Sequence, residues 1–208
     1  MEVYKGGLDG ETRKVVRLPT GFGRKLAAGV IVVLLLIIGS SCFYTVQEHE
    51  QAAILTFGKY TATQDKSGLH FKLPWPIQSV VKVPANLTQK IQIGYREDDR
   101  GNVFPVEEEA LMITGDENIV WADAVVEWKI ADVRNYLYNI SDPEQFLRNA
   151  ASSAIRSVIG STRLDYAITE GKTVIQTEVK AKLDEILSMY ETGIQVLDLK
   201  FQDIEPPE

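Results

Sequence analysis

The chain has 208 residues, 45% of them hydrophobic and 25% charged, and a formal net charge of −7. This composition excludes wholesale disorder, and the acidic balance argues against nucleic acid, whose binding requires a basic face. A single cysteine excludes an intrachain disulfide framework and a multi-cysteine zinc site.

Residues 1–25 form a short arm with six basic side chains (Lys5, Arg13, Lys14, Arg17, Arg24, Lys25) against three acidic ones. The next 21 residues, Leu26 to Val46 (LAAGVIVVLLLIIGSSCFYTV), carry no charge. As a helix they would reach roughly 31 Å, the thickness of a bilayer's hydrocarbon core. Eleven are Leu, Ile or Val, and each favours insertion by about 0.3–0.6 kcal/mol near the membrane centre. No polar face interrupts them, so a single transmembrane anchor is expected rather than a buried core helix. A cleaved leader is the competing reading. Ser40-Ser41-Cys42 has the outline of a bacterial lipoprotein site, but Gly39 stands where leucine is usual and the preceding arm is long. Cys42 reads as a small apolar residue of the anchor. By the positive-inside rule the arm is cytoplasmic and the remainder lies outside the cytoplasm. That remainder holds 16 basic and 26 acidic residues, a balance that anionic headgroups would repel.

From Gln47 to about Ile130 the pattern has period two. Ala53, Leu55 and Phe57 alternate, then Leu69, Phe71 and Leu73, up to Pro74-Trp75-Pro76, which cannot continue a central strand. Ile77 to Val83 and Ile91 to Tyr95 read as further strands, and Arg96 to Asn102 as an exposed loop. A hairpin follows: Ala110 to Thr114, turn residues Gly115 to Asn118, and a return over Ile119 to Ile130. In the return strand Val120, Ala122, Ala124, Val126, Trp128 and Ile130 share one face, as in a half-buried antiparallel strand.

After Asp132 the period lengthens. Asp142-Pro143-Glu144-Gln145 starts a helix, with Asp as N-cap and Pro in the first helical position, and Gly160 stops it. A second helix is expected from about Thr169 to Tyr190, with the stripe Ile175, Val179, Leu183, Ile186, Tyr190 and a Glu178–Lys182 pair. Gly193 ends it, and Ile194 to Phe201 is a last strand. Strands, then helices, then a strand give an α+β domain with helices on one face of a largely antiparallel sheet.

A search for chemistry returns little. There are two histidines, His49 and His70, and no HExxH or metal-spaced cluster. Gly171-Lys172-Thr173 mimics the end of a P-loop, but Tyr166 stands where its first glycine belongs. Glu107-Glu108-Glu109 reads as a solvated charge run, since adjacent strand residues point to opposite faces. Asp116, Glu117 and Asn118 lack the glycine and distal Glu of a calcium loop. No catalytic, cofactor-binding or metal-ligating residue is assigned. Among the tryptophans, Trp128 is expected in the core, and Trp75, close in sequence to the anchor, is the candidate membrane-interface aromatic.

Four segments carry a family resemblance. SGLHFKLPWPIQSVVKV (Ser67 to Val83) resembles the opening segment of the stomatin/prohibitin/flotillin/HflK (SPFH, or band 7) superfamily. MITGDENIV (Met112 to Val120) is similar to the hairpin of its HflK branch. SDPEQFLRNAASSAIRSVIGSTRLD (Ser141 to Asp165) resembles that branch's helix and the turn after it, and FQDIEPPE (Phe201 to Glu208) its exit from the domain. The resemblance implies a single transmembrane helix over 26–46, an SPFH/band 7 domain over 47–205, and at 206–208 the start of the long C-terminal helical region of family members. It also implies a non-enzymatic scaffold without a cofactor in the bacterial inner membrane. Such a scaffold assembles into rings or cages with itself and an HflC-like paralogue, touches membrane lipid, and modulates an FtsH-type AAA protease. A stomatin-like organiser of membrane microdomains, acting on lipid or a channel, is the alternative.

Overall fold

The computed structural model describes residues 28–29, 39–98, 100–169 and 171–206. The arm over 1–25 and most of the expected anchor therefore lie outside the described residues. Among the described residues no helix is long and apolar enough to cross a membrane. Residues 28–29 and 39–40 are helical, but the expected end of the anchor at Val46 is corrected. Phe43–Val46 is a strand, β1, paired antiparallel with β4 (Gly68–Phe71). Phe43 lies opposite Phe71 and Val46 opposite Gly68.

Next to this pair stands a small sheet in the order β3-β2-β5, made of β2 (Gln51–Thr56), β3 (Lys59–Gln64) and β5 (Gln78–Val83). The larger sheet has the order β11-β10-β6, from β6 (Gln89–Ile93), β10 (Ile119–Ile130) and β11 (Ile194–Glu205), with β9 (Leu111–Ile113) also on β10. After β6 a separate hairpin joins β7 (Tyr95–Glu97) and β8 (Val103–Pro105). Its strands take in Arg96 and Glu97, which the sequence placed in a loop. Every pairing is antiparallel.

Five helices are described: α1 (Glu107–Ala110), α2 (Val133–Tyr138), α3 (Pro143–Ile159), α4 (Leu164–Ile168) and α5 (Lys172–Met189). The expected inner face of β10 is buried throughout. It meets Leu147, Ala151, Ile155 and Val158 of α3 and Ile175, Val179, Leu183 and Leu187 of α5 in one apolar cluster. The stripe on α5 steps by four to Leu187; Ile186 is only partly buried, and Tyr190 stands outside with its ring edge-on to Phe146 at 5.2 Å. The helix begins at Lys172, and its ion pair is Lys180–Asp184 at 3.7 Å. Lys182 instead donates to Ser157 Oγ on α3.

The start of α3 forms as its sequence dictates. Asp142 Oδ1 accepts from the Gln145 amide at 3.0 Å, with Pro143 following in the first turn. Asp142→Ala is expected to cost about 1 kcal/mol, read as a lowered urea midpoint; an unchanged midpoint would show that the cap contributes nothing. At the other end of α5, Gly193 has a φ of +72°, and its carbonyl accepts from both Ala131 and Asp132. A Cβ at Gly193 would run into the Asp132 carbonyl, so this turn needs glycine.

β11 is the edge of the larger sheet. Its ladder with β10 slips twice, between Ala122 and Ala124 and between Glu127 and Trp128. Two of its backbone groups are engaged by side chains: the Leu199 amide by Asp198 Oδ1, and the Gln202 carbonyl by Lys172 Nζ.

Candidate functional site

One face of the β1–β4 pair is partly covered and the other is exposed. Val46 is buried, but Phe43, Leu69, Phe71 and Leu73 all stand exposed. The Phe43 and Phe71 rings pack edge-to-face with centroids 5.8 Å apart. The strand periodicity is therefore real, while the apolar side of β4 is the outer one. Trp75 follows in the turn between β4 and β5, with 76% of its surface exposed. That turn is tied down by Ile77 N–H donating to the Pro74 carbonyl, and Leu73 N–H donating to Gln78 Oε1 at 2.8 Å.

Phe57 belongs to the same neighbourhood, and the sequence reading missed it by assigning it to a strand. It sits in the β2–β3 turn with a φ of +50° and is 77% exposed. Bulky residues rarely adopt that conformation, and a large ring held out in water has no stabilising reason to be there. Its amide donates to the Ile77 carbonyl at 2.9 Å, which joins its turn to the one carrying Trp75. Six large apolar side chains are thus presented by two neighbouring turns and a two-stranded ribbon. Phe43 lies near the end of the 21-residue apolar segment, and the other five follow it within the next 29 residues. Grouped exposed apolar side chains of this kind form a candidate contact surface for a protein or a membrane. The signal available in the sequence was the run of Phe, Leu and Trp between residues 69 and 75, so close to the apolar segment.

The expected charge run is corrected. Glu107–Ala110 is a helical turn, and Glu109 is folded inward. Arg96 grips Glu109 with both guanidinium nitrogens, at 2.6 and 3.0 Å; the Gly94 amide donates to it at 3.2 Å, and Arg148 lies 3.9 Å away. Burial pushes the Glu109 carboxyl up, but the Arg96 and Gly94 hydrogen bonds and the two guanidinium charges outweigh it and hold it below the usual glutamate range. This cluster ties α1 to β6, β7 and α3, since Arg148 also donates to the Gln92 carbonyl.

Other sequence candidates fall into place. Trp128 is in the core and Trp121 half-buried. His70 Nε2 bonds the Lys66 carbonyl. Asp116 accepts from Thr114 and from the amide of Leu164, fastening the β9–β10 turn to the start of α4. Among the described residues no three His, Cys, Asp or Glu side chains gather as metal ligands. The cleft lined by Asp132, Asn135, Asp184, Ser188, Glu191 and Thr192, about 640 Å³, is open and polar.

A small β part with exposed aromatics, following an apolar segment in the chain, and an α+β part with no metal-ligand cluster among the described residues fit a membrane-associated module. The chain belongs to the SPFH domain / Band 7 family, which it matches over residues 44–208. It is 35% identical over 183 residues to the "Modulator of FtsH protease HflK" of Escherichia coli K12, an alignment covering 88% of this chain and 39% of that protein. It is also 35% identical over 168 residues to protein HflK of Buchnera aphidicola from Schizaphis graminum, covering 81% and 37%. With protein HflK of Borreliella burgdorferi it shares 30% over 186 residues, covering 86% and 58%. The chain thus spans about two fifths of the E. coli relative's length.

Proposed function

We propose that this chain is a non-enzymatic scaffold of the bacterial inner membrane, anchored by one helix within Leu26 to Cys42. Its N-terminus is cytoplasmic and the domain from Phe43 onward lies outside the cytoplasm. Copies assemble with one another and with an HflC-like paralogue, and the assembly modulates an FtsH-type membrane protease. The observation that carries this reading is the similarity over most of the chain to a relative named as a modulator of FtsH protease. The basic arm and the acidic outer domain support the orientation, and confinement to a plane raises the effective concentration for self-contact. Affinity purification from gently solubilised membranes is expected to yield a high-mass assembly containing the protease. A monodisperse monomer without it would overturn the reading.

Trp75, with Phe43, Phe57, Leu69, Phe71 and Leu73, dips into the outer leaflet next to the anchor. Burying such side chains in an apolar phase is worth about 1.5–3 kcal/mol each at full burial. This favours holding the β1–β4 ribbon down against the headgroup repulsion of the acidic domain. The test is fluorescence of the full chain in liposomes carrying a shallow nitroxide quencher. Wild type is expected to lose a component of its emission that Trp75→Phe no longer shows. Equal quenching of both proteins would remove Trp75 from the membrane.

A further inference from the structure

At the first slip in the β10–β11 ladder, Ala122 pairs with Ile204 and Ala124 with Phe201. Asp123 alone therefore opposes two residues, Gln202 and Asp203, a bulge on β11. Asp123 Oδ1 is buried and has no hydrogen-bond partner among the described residues. It lies against Gly94, whose φ is +90° and where a Cβ would collide with it. The carboxylate thus occupies space that only glycine leaves free.

We propose that Asp123 is a proton-operated latch on the last residues of β11: as an anion it repels Asp203 and Glu205 across the bulge, and as a neutral acid it lets the strand end close. The charges that act on Asp123 are those of Asp203 and Glu205, with Lys172 Nζ held on the carbonyl of Gln202, which lies opposite Asp123. β11 brings Asp203 and Glu205. β7 brings the buried Tyr95 phenol, itself pushed up by burial and by Glu97 and Asp123. α1 brings Glu109, which is already neutralised by Arg96. Burial first, then Asp203 and Glu205, raise the Asp123 carboxyl above the ordinary aspartate range, with the Trp121 side chain opposing. A neutral acid also gains an O–H donor, and Asp203 and Glu205 supply acceptors nearby.

The sign follows from proton linkage. A carboxyl raised in the folded protein binds its proton more tightly there, so its contribution favours the closed strand at low pH and is lost as pH rises through the native value. The latch acts on either side of the membrane. Its use as a sensor of external pH rests on the proposed extracytoplasmic placement, and the experiment does not.

The test is hydrogen–deuterium exchange of the full chain in detergent micelles at about pH 7.5 and about pH 5, with peptides covering 201–206 corrected for intrinsic exchange. Wild type is therefore expected to be better protected at the lower pH. Asp123→Asn is expected to be protected equally at both, and Asp203→Asn to show a smaller pH response than wild type. Wild-type protection that is unchanged between the two pH values would overturn the proposal. So would an Asp203→Asn response as large as wild type's, whether or not Asp123→Asn folds.

Discussion

Trp128→Ala is expected to lower stability by about 3–5 kcal/mol, the largest loss from any single truncation considered for this chain. The indole, 2% exposed near the C-terminal end of β10, stacks on Tyr136 with ring centroids 6.1 Å apart. Because β10 pairs with β6, β9 and β11, a cavity there loosens the strand that unites the larger sheet. Trp128→Phe is the informative companion. The Trp128 indole nitrogen has no hydrogen-bond partner among the described residues, so phenylalanine forfeits packing volume but no bond. Its cost should be smaller than that of Trp128→Ala, because less volume is lost. Urea unfolding followed by far-ultraviolet circular dichroism measures both. A Trp128→Ala loss under about 1 kcal/mol would mean that the surroundings collapse into the space.

Glu109→Ala should be the next most damaging change, at about 2–3 kcal/mol. It leaves Arg96 and Arg148 facing each other without the carboxylate both approach. Burial, with Arg96 adding to it, already pulls the Arg148 guanidinium below its usual range, so removing the anion exposes a repulsion as well as a desolvation cost. The pH dependence separates charge from packing. Glu109 is held below the ordinary glutamate range, so its contribution is present in full above that ordinary value, near about 4.3, and fades as pH falls through the lower native one. The stability gap between wild type and Glu109→Gln should narrow on acidification below about pH 4. A gap that stays constant would assign the effect to shape alone. This slope is opposite in sign to that of Asp123, whose native value is raised.

Much of the α+β part was legible because its signals are local. The alternation on β10 has one buried face and no interruption. Asp142 and Pro143 mark the start of α3 by capping and a fixed φ, which need no tertiary partner. The failures occur where distant residues decide. The sequence Phe43-Tyr44-Thr45-Val46 is apolar enough to continue a membrane helix, and it becomes a strand by pairing with residues 68–71. Glu107 to Ala110 takes a helical turn in which Glu109 is drawn inward by Arg96 and Arg148, which no periodicity announces. Val133–Tyr138 was overlooked because six residues are too few to establish a helical period. At the candidate membrane site Trp75 was singled out from its neighbours in the chain. Phe57 needed the turn geometry, and Phe43 needed its cross-strand partner. Alternation along β4 says that two faces differ, and only the fold says that the oily one is turned outward.

The irregular outer border of the larger sheet bears on the membrane assembly proposed above. A straight, uninterrupted twelve-residue border would invite neighbours to zip together through their main chains into open-ended ribbons. Here the two ladder slips bend that border, and Asp198 and Lys172 occupy two of its bonding groups. Lateral growth by strand addition is thereby discouraged, which leaves side-chain surfaces, with their finite geometry, to set how many copies meet.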